Sequence, residues 1–356
     1  MVDIQKMLAE QAPIIDKIIE KWIPKNYDDN NMKFIFGEPK YKYNIDCANK
    51  SFAEPIWEFL SRGGKRWRPT LFLLTVEALG GDKNKVFDFV VIPEIIHNGT
   101  LLHDDIEDRS ELRRGKPCTY ILYGLDVAIN TGNEMYYLPL LPLIKNKENF
   151  DPKVLNKVFE TYAKEMIDLG LGQAMDISWH NGMCSADKLS EEEYLQMCAY
   201  KTGTLARMSA KIAAILSNAT DEQIEKLGNY AETVGVAFQI QDDILNLIEG
   251  EFTEKKGLGE DITEGKRSLP VIHAINKASS EDRERLIEIL NMHTNDQELR
   301  NEAIIIIKKY GAIEYSKQKA KSMIMEAWNG VDKVLKPSPA KEKIKAFADY
   351  LVSRTI

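Results

Sequence analysis

The chain has little of what several function classes require. Only four of its 356 residues are cysteine, and Cys47, Cys118, Cys184 and Cys198 form neither a CxxC pair nor a secreted-style framework. Reduced thiols in a cytoplasmic protein are therefore expected. Long apolar runs are missing. The longest uncharged one, Met135 to Ile144, is too short to span a bilayer and contains Pro139 and Pro142, so no transmembrane segment is expected. The N-terminus carries acids among its apolar residues, unlike a signal peptide. Cations are outnumbered: 47 Lys and Arg face 55 Asp and Glu, a net charge of −8, which argues against a general nucleic-acid binder. Polar–apolar alternation long enough for a sheet is scarce, and no solenoid repeat is present.

What the chain does have is helical periodicity. With 44% hydrophobic residues it can bury a large core, as one big helical domain or two smaller ones. Ile4, Met7, Leu8, Ile14, Ile15, Ile18, Ile19 and Trp22 space an amphipathic helix over about residues 3–22, stopped by Pro24. Residues 25–45 read as a polar, aromatic connector. Helices follow near 50–61, 69–79, 84–108, 120–145, 152–178, 190–217, 220–249, 269–278, 281–292, 296–310, 312–335 and 338–353. Asp151-Pro152 suits a helix start, Gly80-Gly81 a stop, and Thr220 with Gln223 a capping box. The expectation is an all-α fold, with residues 1–45 as an N-terminal helix and connector and 46–356 as the main helical domain.

One carboxylate cluster occurs twice, about 140 residues apart: Asp104-Asp105-Ile106-Glu107-Asp108 and Asp242-Asp243-Ile244-Leu245-Asn246. Each ends a long apolar helical segment. Positions i, i+1 and i+4 of a helix fall within roughly 100° of one another, which predicts that Asp104, Asp105 and Asp108 share a face. Crowded like charges need cations. Oxygen ligands in an incomplete shell suit Mg²⁺, which keeps waters and shares its other positions with substrate phosphates. Basic residues stand where a diphosphate would need them: Arg62-Gly63-Gly64-Lys65-Arg66-Trp67-Arg68-Pro69 ahead of a helix, Arg113-Arg114-Gly115-Lys116 after the first cluster, Lys201-Thr202, and Lys256 to Lys266.

These motifs and their order resemble the trans-prenyl diphosphate synthase family: Gly63-Gly64-Lys65-Arg66-x-Arg68-Pro69, His97, Asp104-Asp105-x-x-Asp108, Arg113-Arg114-Gly115, Gly172-Gln173-x-x-Asp176, Lys201-Thr202-Gly203, Phe238-Gln239-x-x-Asp242-Asp243 and Gly265-Lys266-x-x-Leu269-Pro270. Together they cover roughly residues 55–275. The DDxxN form of the second cluster, with Asn246 where the wider family has Asp, is similar to the eukaryotic type of geranylgeranyl diphosphate synthase.

The resemblance implies an isoprenoid synthase fold, a helical bundle around a deep central cavity, and a homodimer. It implies condensation of isopentenyl diphosphate with an allylic diphosphate (dimethylallyl, geranyl or farnesyl) and a catalytic set of Asp104, Asp105, Asp108, Asp242, Lys201, Thr202 and Gln239. Asp104 and Asp108 would hold two Mg²⁺ ions, with Asp105 in the same cluster, and Asp242 a third. Arg113, Lys201, Thr202, Gln239, Lys256 and Lys266 would serve the allylic diphosphate; Gly64, Lys65, Arg68, His97 and Arg114 would bind isopentenyl diphosphate. Short-chain relatives close the pocket with an aromatic four or five residues before the first Asp. Here Thr100 and Gly99 leave it open, with Ile96, Tyr136 and Tyr137 as candidate walls, so a twenty-carbon product is expected over farnesyl, geranylfarnesyl or longer ones. Two other classes remain: a class I terpene cyclase, whose Asn/Ser/Glu metal motif is absent, and a non-catalytic subunit of a heteromeric synthase, which usually loses one cluster.

Overall fold

The computed structural model describes residues 3–184, 188–248 and 258–353. Helices of eight residues or more are α1 (Ile4–Trp22), α2 (Asp29–Phe36), α3 (Glu54–Ser61), α4 (Trp67–Ala78), α5 (Val91–Glu107), α6 (Leu125–Tyr137), α7 (Pro152–His180), α8 (Glu191–Cys198), α9 (Thr204–Leu216), α10 (Asp221–Asn246), α11 (Leu269–Lys277), α12 (Ser280–Asn291), α13 (Gln297–Lys309), α14 (Ala312–Val334) and α15 (Pro339–Ser353). Among the described residues the only strands are β1 (Leu112–Arg113) and β2 (Lys116–Pro117), an antiparallel pair. The fold is all-α, as the periodicity predicts. No helix among the described residues is long and apolar enough to cross a membrane.

Local chemistry starts the helices. The Asp3 carboxylate accepts from the Lys6 N–H at 2.9 Å. Thr220 and Gln223 form the expected capping box at 3.1 and 3.2 Å, and Ser190 with Glu193 forms another; such caps are worth about 1 kcal/mol each. Four expectations are corrected. The connector 25–45 contains α2, started by an Asp28/Asn31 capping box and burying Met32 and Ile35; two turns are too short for periodicity to register. The helix expected from 84 starts at Val91, after a short helix Lys83–Val86 and a 3-10 turn Phe87–Val90. The helix expected over 120–145 breaks at Gly124 (φ +93°) and again at a 3-10 turn, Leu138–Leu140, where Pro139 and Pro142 remove backbone donors. The helix over 190–217 is interrupted by a π-helical turn, Ala199–Gly203.

The chain forms two compact units, one of residues 1–160 with 212–219, the other of 161–211 with 220–356. In the first, α5 packs against α6, α4 and α1. Its Val91, Ile92, Ile95, Ile96 and Leu102 are at most 1% exposed, and full burial of such a side chain contributes roughly 1.5–3 kcal/mol. In the second, α10 packs against α14. A further apolar cluster there joins Leu247 and Ile262 to Val271, Leu286, Ile289, Leu290, Ile304 and Ile307. Each acidic cluster thus sits at the C-terminal end of a long, largely buried helix of its unit.

Candidate active site

In the first unit the acidic cluster occupies the last turn of α5. Asp104 and Asp108 are half-buried, whereas Asp105 is 1% exposed. This corrects the shared face: a step of about 100° turns Asp105 into the core while i and i+4 stay together. Arg113, carried back by the β1–β2 hairpin, donates from Nε to Asp105 Oδ1 at 2.7 Å. Burial raises the Asp105 carboxyl above its ordinary value against the pull of Arg113. Asp105 thereby anchors the end of the helix, leaving Asp104 and Asp108 as the pair that faces outward.

The basic residues of this unit gather around the turn before α4. Lys65 is exposed, and Arg68 is 4% exposed with its guanidinium 4.3 Å from the Trp67 ring centre. Arg114 donates to the Gly63 carbonyl and, at 3.3 Å, to Asn98 Oδ1. Burial lowers Arg68 and Arg114 to about 10, and both remain cationic at neutral pH. Desolvation, followed by the charges of Arg68, Arg114, Arg113 and Arg66, holds His97 well below its ordinary value, so it presents a neutral imidazole. Gly64, Lys65, Arg68, His97 and Arg114 therefore belong to one region of one unit. Glu94 and His97 have the Glu-x-x-His spacing that di-iron bundles use on two helices, but the Glu94 carboxylate is taken by Arg66 at 2.9 Å and Asn98 at 3.1 Å.

The second unit repeats the logic with different partners. Asp242 is half-buried and Asp243 is 5% exposed. Tyr194 of α8 donates to Asp243 Oδ2 at 2.5 Å, and Gln239 Nε2 donates to its Oδ1 at 2.9 Å. Burial, with Asp261 nearby, pushes the Asp243 carboxyl up to about 7. Thr202 donates to Gln239 Oε1 at 3.0 Å, so Thr202, Gln239, Asp243 and Tyr194 form one hydrogen-bonded chain. Lys201 holds Asp176 at 2.6 Å; burial raises that carboxyl, but Lys201 and Lys266 outweigh it and leave Asp176 below its ordinary value. Asn246 is 4% exposed, accepts the Asp261 N–H on Oδ1 at 3.1 Å and offers its carbonyl to the Gly259 N–H at 3.0 Å. It ties down the segment that leads to Lys266, which is half-buried and 3.7 Å from Asp261. Lys256 lies outside the described residues.

The turn bearing Lys201 and Thr202 is set by close backbone approach. A Cβ on Gly172 would overlap the Lys201 backbone nitrogen and stand 2.7 Å from the Tyr200 carbonyl carbon; one on Gly235 would stand 2.8 Å from the Gly203 Cα. Gly172→Ala is therefore expected to cost about 1–3 kcal/mol and to lower turnover by displacing Lys201 and Thr202. Gly170→Ala, with nothing within 4 Å of the added methyl, is expected to gain roughly 0.5–1 kcal/mol. Thermal unfolding and steady-state rates of the pair check this; equal behaviour would refute the close-packing account.

Of the candidate pocket residues, Ile96 is fully buried and Thr100 is half-buried, with Oγ1 on the His97 carbonyl at 2.7 Å. Gly99 faces α6: a Cβ there would lie 3.0 Å from Met135 Cβ, 3.1 Å from the Gly132 carbonyl oxygen and 3.2 Å from Tyr136. Its smallness is thus demanded by helix packing. Tyr136 is half-buried and its hydroxyl meets His103 Nδ1 at 2.8 Å, whereas Tyr137 is 64% exposed. Of the two tyrosines, it is Tyr136 that packs on the helix of the first cluster.

Motif reading missed what four residues contribute. Tyr194 lies 49 residues from Asp243 and carries no local signal. Asn246 matches a motif position but works through the backbone it fastens. Glu94 and Asn98 did leave a trace, a polar pair one turn apart in a largely apolar helical run.

Residues 49–307 match the polyprenyl synthetase family, a span that includes every motif from Gly63 to Pro270. The chain belongs to that family. It is 35% identical over 309 residues to a short chain isoprenyl diphosphate synthase of Methanothermobacter thermautotrophicus, covering 87% of this chain and 92% of that one. Against a geranylgeranyl diphosphate synthase of Saccharolobus solfataricus it is 31% identical, over 91% and 95% of the two chains. The fold matches the crystal structure of a geranylgeranyl pyrophosphate synthetase from Pyrococcus horikoshii with a TM-score of 0.83 and 31% identity, across 99% of this chain and 98% of that one.

Proposed function

We propose that the chain is a prenyltransferase that condenses isopentenyl diphosphate with dimethylallyl, geranyl or farnesyl diphosphate, ending at geranylgeranyl diphosphate. The observation that carries this reading is the division of labour in both clusters: one aspartate is buried as an anchor, and its neighbour is left half-buried at the helix end. Asp104 and Asp108 in one unit and Asp242 in the other suit Mg²⁺, which takes few protein carboxylates and fills its shell with water and phosphate oxygens. Three such ions, when bound, would draw charge onto the leaving diphosphate. No group of three or more His, Cys, Asp and Glu able to hold a metal by itself occurs among the described residues.

The chain's own residues would do the rest. Lys65, Arg68, Arg114 and the Gly64 backbone bind the diphosphate of isopentenyl diphosphate, and the neutral His97 donates a hydrogen bond without adding charge. Arg113, Lys201, Thr202, Gln239, Lys256 and Lys266 hold the allylic diphosphate. As its C–O bond breaks, the isopentenyl double bond attacks the allylic carbon, a C–C bond forms, and a proton leaves to the departing diphosphate. The hydrogen bonds from Thr202 to Gln239 and from Gln239 to Asp243 fix the polar wall beside that proton, so no His or Cys base is needed. Residues 46–356 act as the synthase domain behind the N-terminal helix and connector.

Incubation with isopentenyl diphosphate, Mg²⁺ and each allylic primer, followed by product chromatography, tests the reading. A twenty-carbon diphosphate is expected, and chelation should abolish it. A cyclic hydrocarbon would instead mark a terpene cyclase, and no turnover a non-catalytic subunit. Thr100→Phe should shorten the product to fifteen carbons, because the ring would stand one turn from Asp104, roughly 5 Å along the helix, across the path of the tail. Ile96→Ala or Tyr136→Ala should lengthen it. Unchanged products in an active Thr100→Phe variant would refute this tail path. Gly99→Phe is no clean test, since it would wedge α5 from α6.

A homodimer is part of the proposal. Leu125 and Ile129, one turn apart on α6, are 53% and 41% exposed; in the other unit Ile167 and Leu171 on α7 are 69% and 52% exposed. Apolar side chains paired at i and i+4 in this way suit a partner helix. A monomer in light scattering at micromolar concentration would count against it. The free state of Cys47, Cys118, Cys184 and Cys198 supports a cytoplasmic enzyme.

A further inference from the structure

One deeply buried acid among the basic residues of the first unit has no role in the chemistry proposed above. Glu94, in the first turn of α5, is 3% exposed. Its Oε1 accepts Arg66 Nη1 at 2.9 Å and Asn98 Nδ2 at 3.1 Å, and its backbone carbonyl accepts the same Asn98 amide at 2.7 Å. With Nδ2 so engaged, Asn98 turns Oδ1 to Arg114 Nη2 at 3.3 Å, while Arg114 Nη1 reaches the Gly63 carbonyl.

Arg66 is held as firmly. Its backbone takes φ +47°, a conformation that L residues seldom adopt, and its guanidinium donates to Asp16 at 2.8 Å and to the Leu60 carbonyl at 3.1 Å. An acid in the middle of an anion site weakens the field that attracts the anion. It is useful there only if it sets the geometry of the cations, and two hydrogen-bonded paths run from Glu94 to the Gly63–Arg66 turn. One passes through Arg66 itself. The other passes through Asn98 and Arg114. Glu94 also opposes the loss of basicity that burial imposes on Arg68 and Arg114.

We propose that Glu94, acting through Asn98 and Arg66, is a positioning residue of the isopentenyl diphosphate site: it holds Arg114 and the Gly63–Arg66 turn in their diphosphate-binding arrangement before substrate arrives. The proposal rests on the functional reading above and adds a residue to it. Preorganisation of this kind lowers the cost of binding one substrate and leaves the other substrate's site untouched.

Glu94→Gln keeps the volume but allows the amide relay to reverse. The expected result is a KM for isopentenyl diphosphate raised about tenfold or more, with kcat and the KM for the allylic substrate changed less than about threefold. Exchanging the pair, in Glu94→Gln with Asn98→Asp, restores an acceptor for Arg114 and should bring that KM back towards wild type, a rescue that a role confined to fold stability would not give. If Glu94→Gln does not fold, Asn98→Ala leaves the Glu94–Arg66 pair in place and should show the same selective rise. An unchanged KM in folded, active Glu94→Gln or Asn98→Ala, or an equal rise in both KM values, overturns the proposal and leaves the functional reading intact. Wild-type protein that turns over no allylic primer overturns both.

Discussion

Asp104→Ala should lose more than ~100-fold of turnover while keeping its helical content and thermal midpoint, because on the proposed reading it removes a metal ligand that stabilises charge on the leaving diphosphate. Asp242→Ala should behave alike. Both carboxylates are half-buried at helix ends beside a second aspartate, and loss of one of two repelling charges can raise the midpoint in metal-free buffer. The neighbouring positions provide the contrast. Asp105 and Asp243 are buried, and each is held by named donors, Arg113 on one and Tyr194 with Gln239 on the other. Asp105→Ala would strand Arg113, and Asp243→Ala would strand the Tyr194 hydroxyl, so these variants should lower the midpoint as well as the rate. Turnover and circular dichroism melting on the four variants separate the two classes. Near-normal activity of Asp104→Ala at saturating Mg²⁺ would sink the metal assignment.

Arg207→Met should be the most destabilising single change considered for the second unit. Arg207 on α9 is 9% exposed and joins three carboxylates: Glu165 at 2.7 Å and Asp168 at 2.8 Å, both on α7, and Glu232 on α10. Glu165 and Asp168 are themselves 3% and 6% exposed, and burial already raises Glu165 despite the adjacent guanidinium. Removing the cation strips the buried Glu165 of its guanidinium and leaves Asp168 only Lys164, at a cost of about 3–5 kcal/mol, and the midpoint should fall on the order of 10 °C. Arg207→Lys should recover only part, since one ammonium cannot span three helices as a planar fork does. Arg285, whose partners Glu288 and Glu302 are 55% and 41% exposed, is the control, with a midpoint close to wild type in Arg285→Ala. An unshifted midpoint for Arg207→Met would mean that solvent reaches this network.

The same Arg207 network frames the turn that carries Lys201 and Thr202. Glu232 supports it from α10, and its Cγ would lie 2.9 Å from a Cβ on Gly203. If Lys201 and Thr202 hold the allylic diphosphate as proposed, intermediate variants such as Arg207→Lys should show a raised KM for the allylic substrate before they show unfolding.

By itself the sequence determined the helical class, most helix starts, the two acidic clusters and the order of the basic motifs. Those signals are local: the apolar repeat of α1, the Thr220–Gln223 cap and carboxylates one turn apart each lie within a few residues of one another. Only the tertiary structure decided which aspartate of each pair turns inward, since 100° of helix rotation separates Asp104 from Asp105 and the neighbouring helices choose the buried side. It also decided that Asn246 fastens the segment leading to Lys266, that Gly99 is small because α6 lies against it, and that α2 occupies part of the expected connector. Glu94 finds Arg66 28 residues away, Arg66 finds Asp16 50 residues away, and Arg207 finds its acids 25 to 42 residues away. A buried charge is tolerated only where a partner is also withdrawn from water, and which residues are withdrawn together is a property of the packed helices.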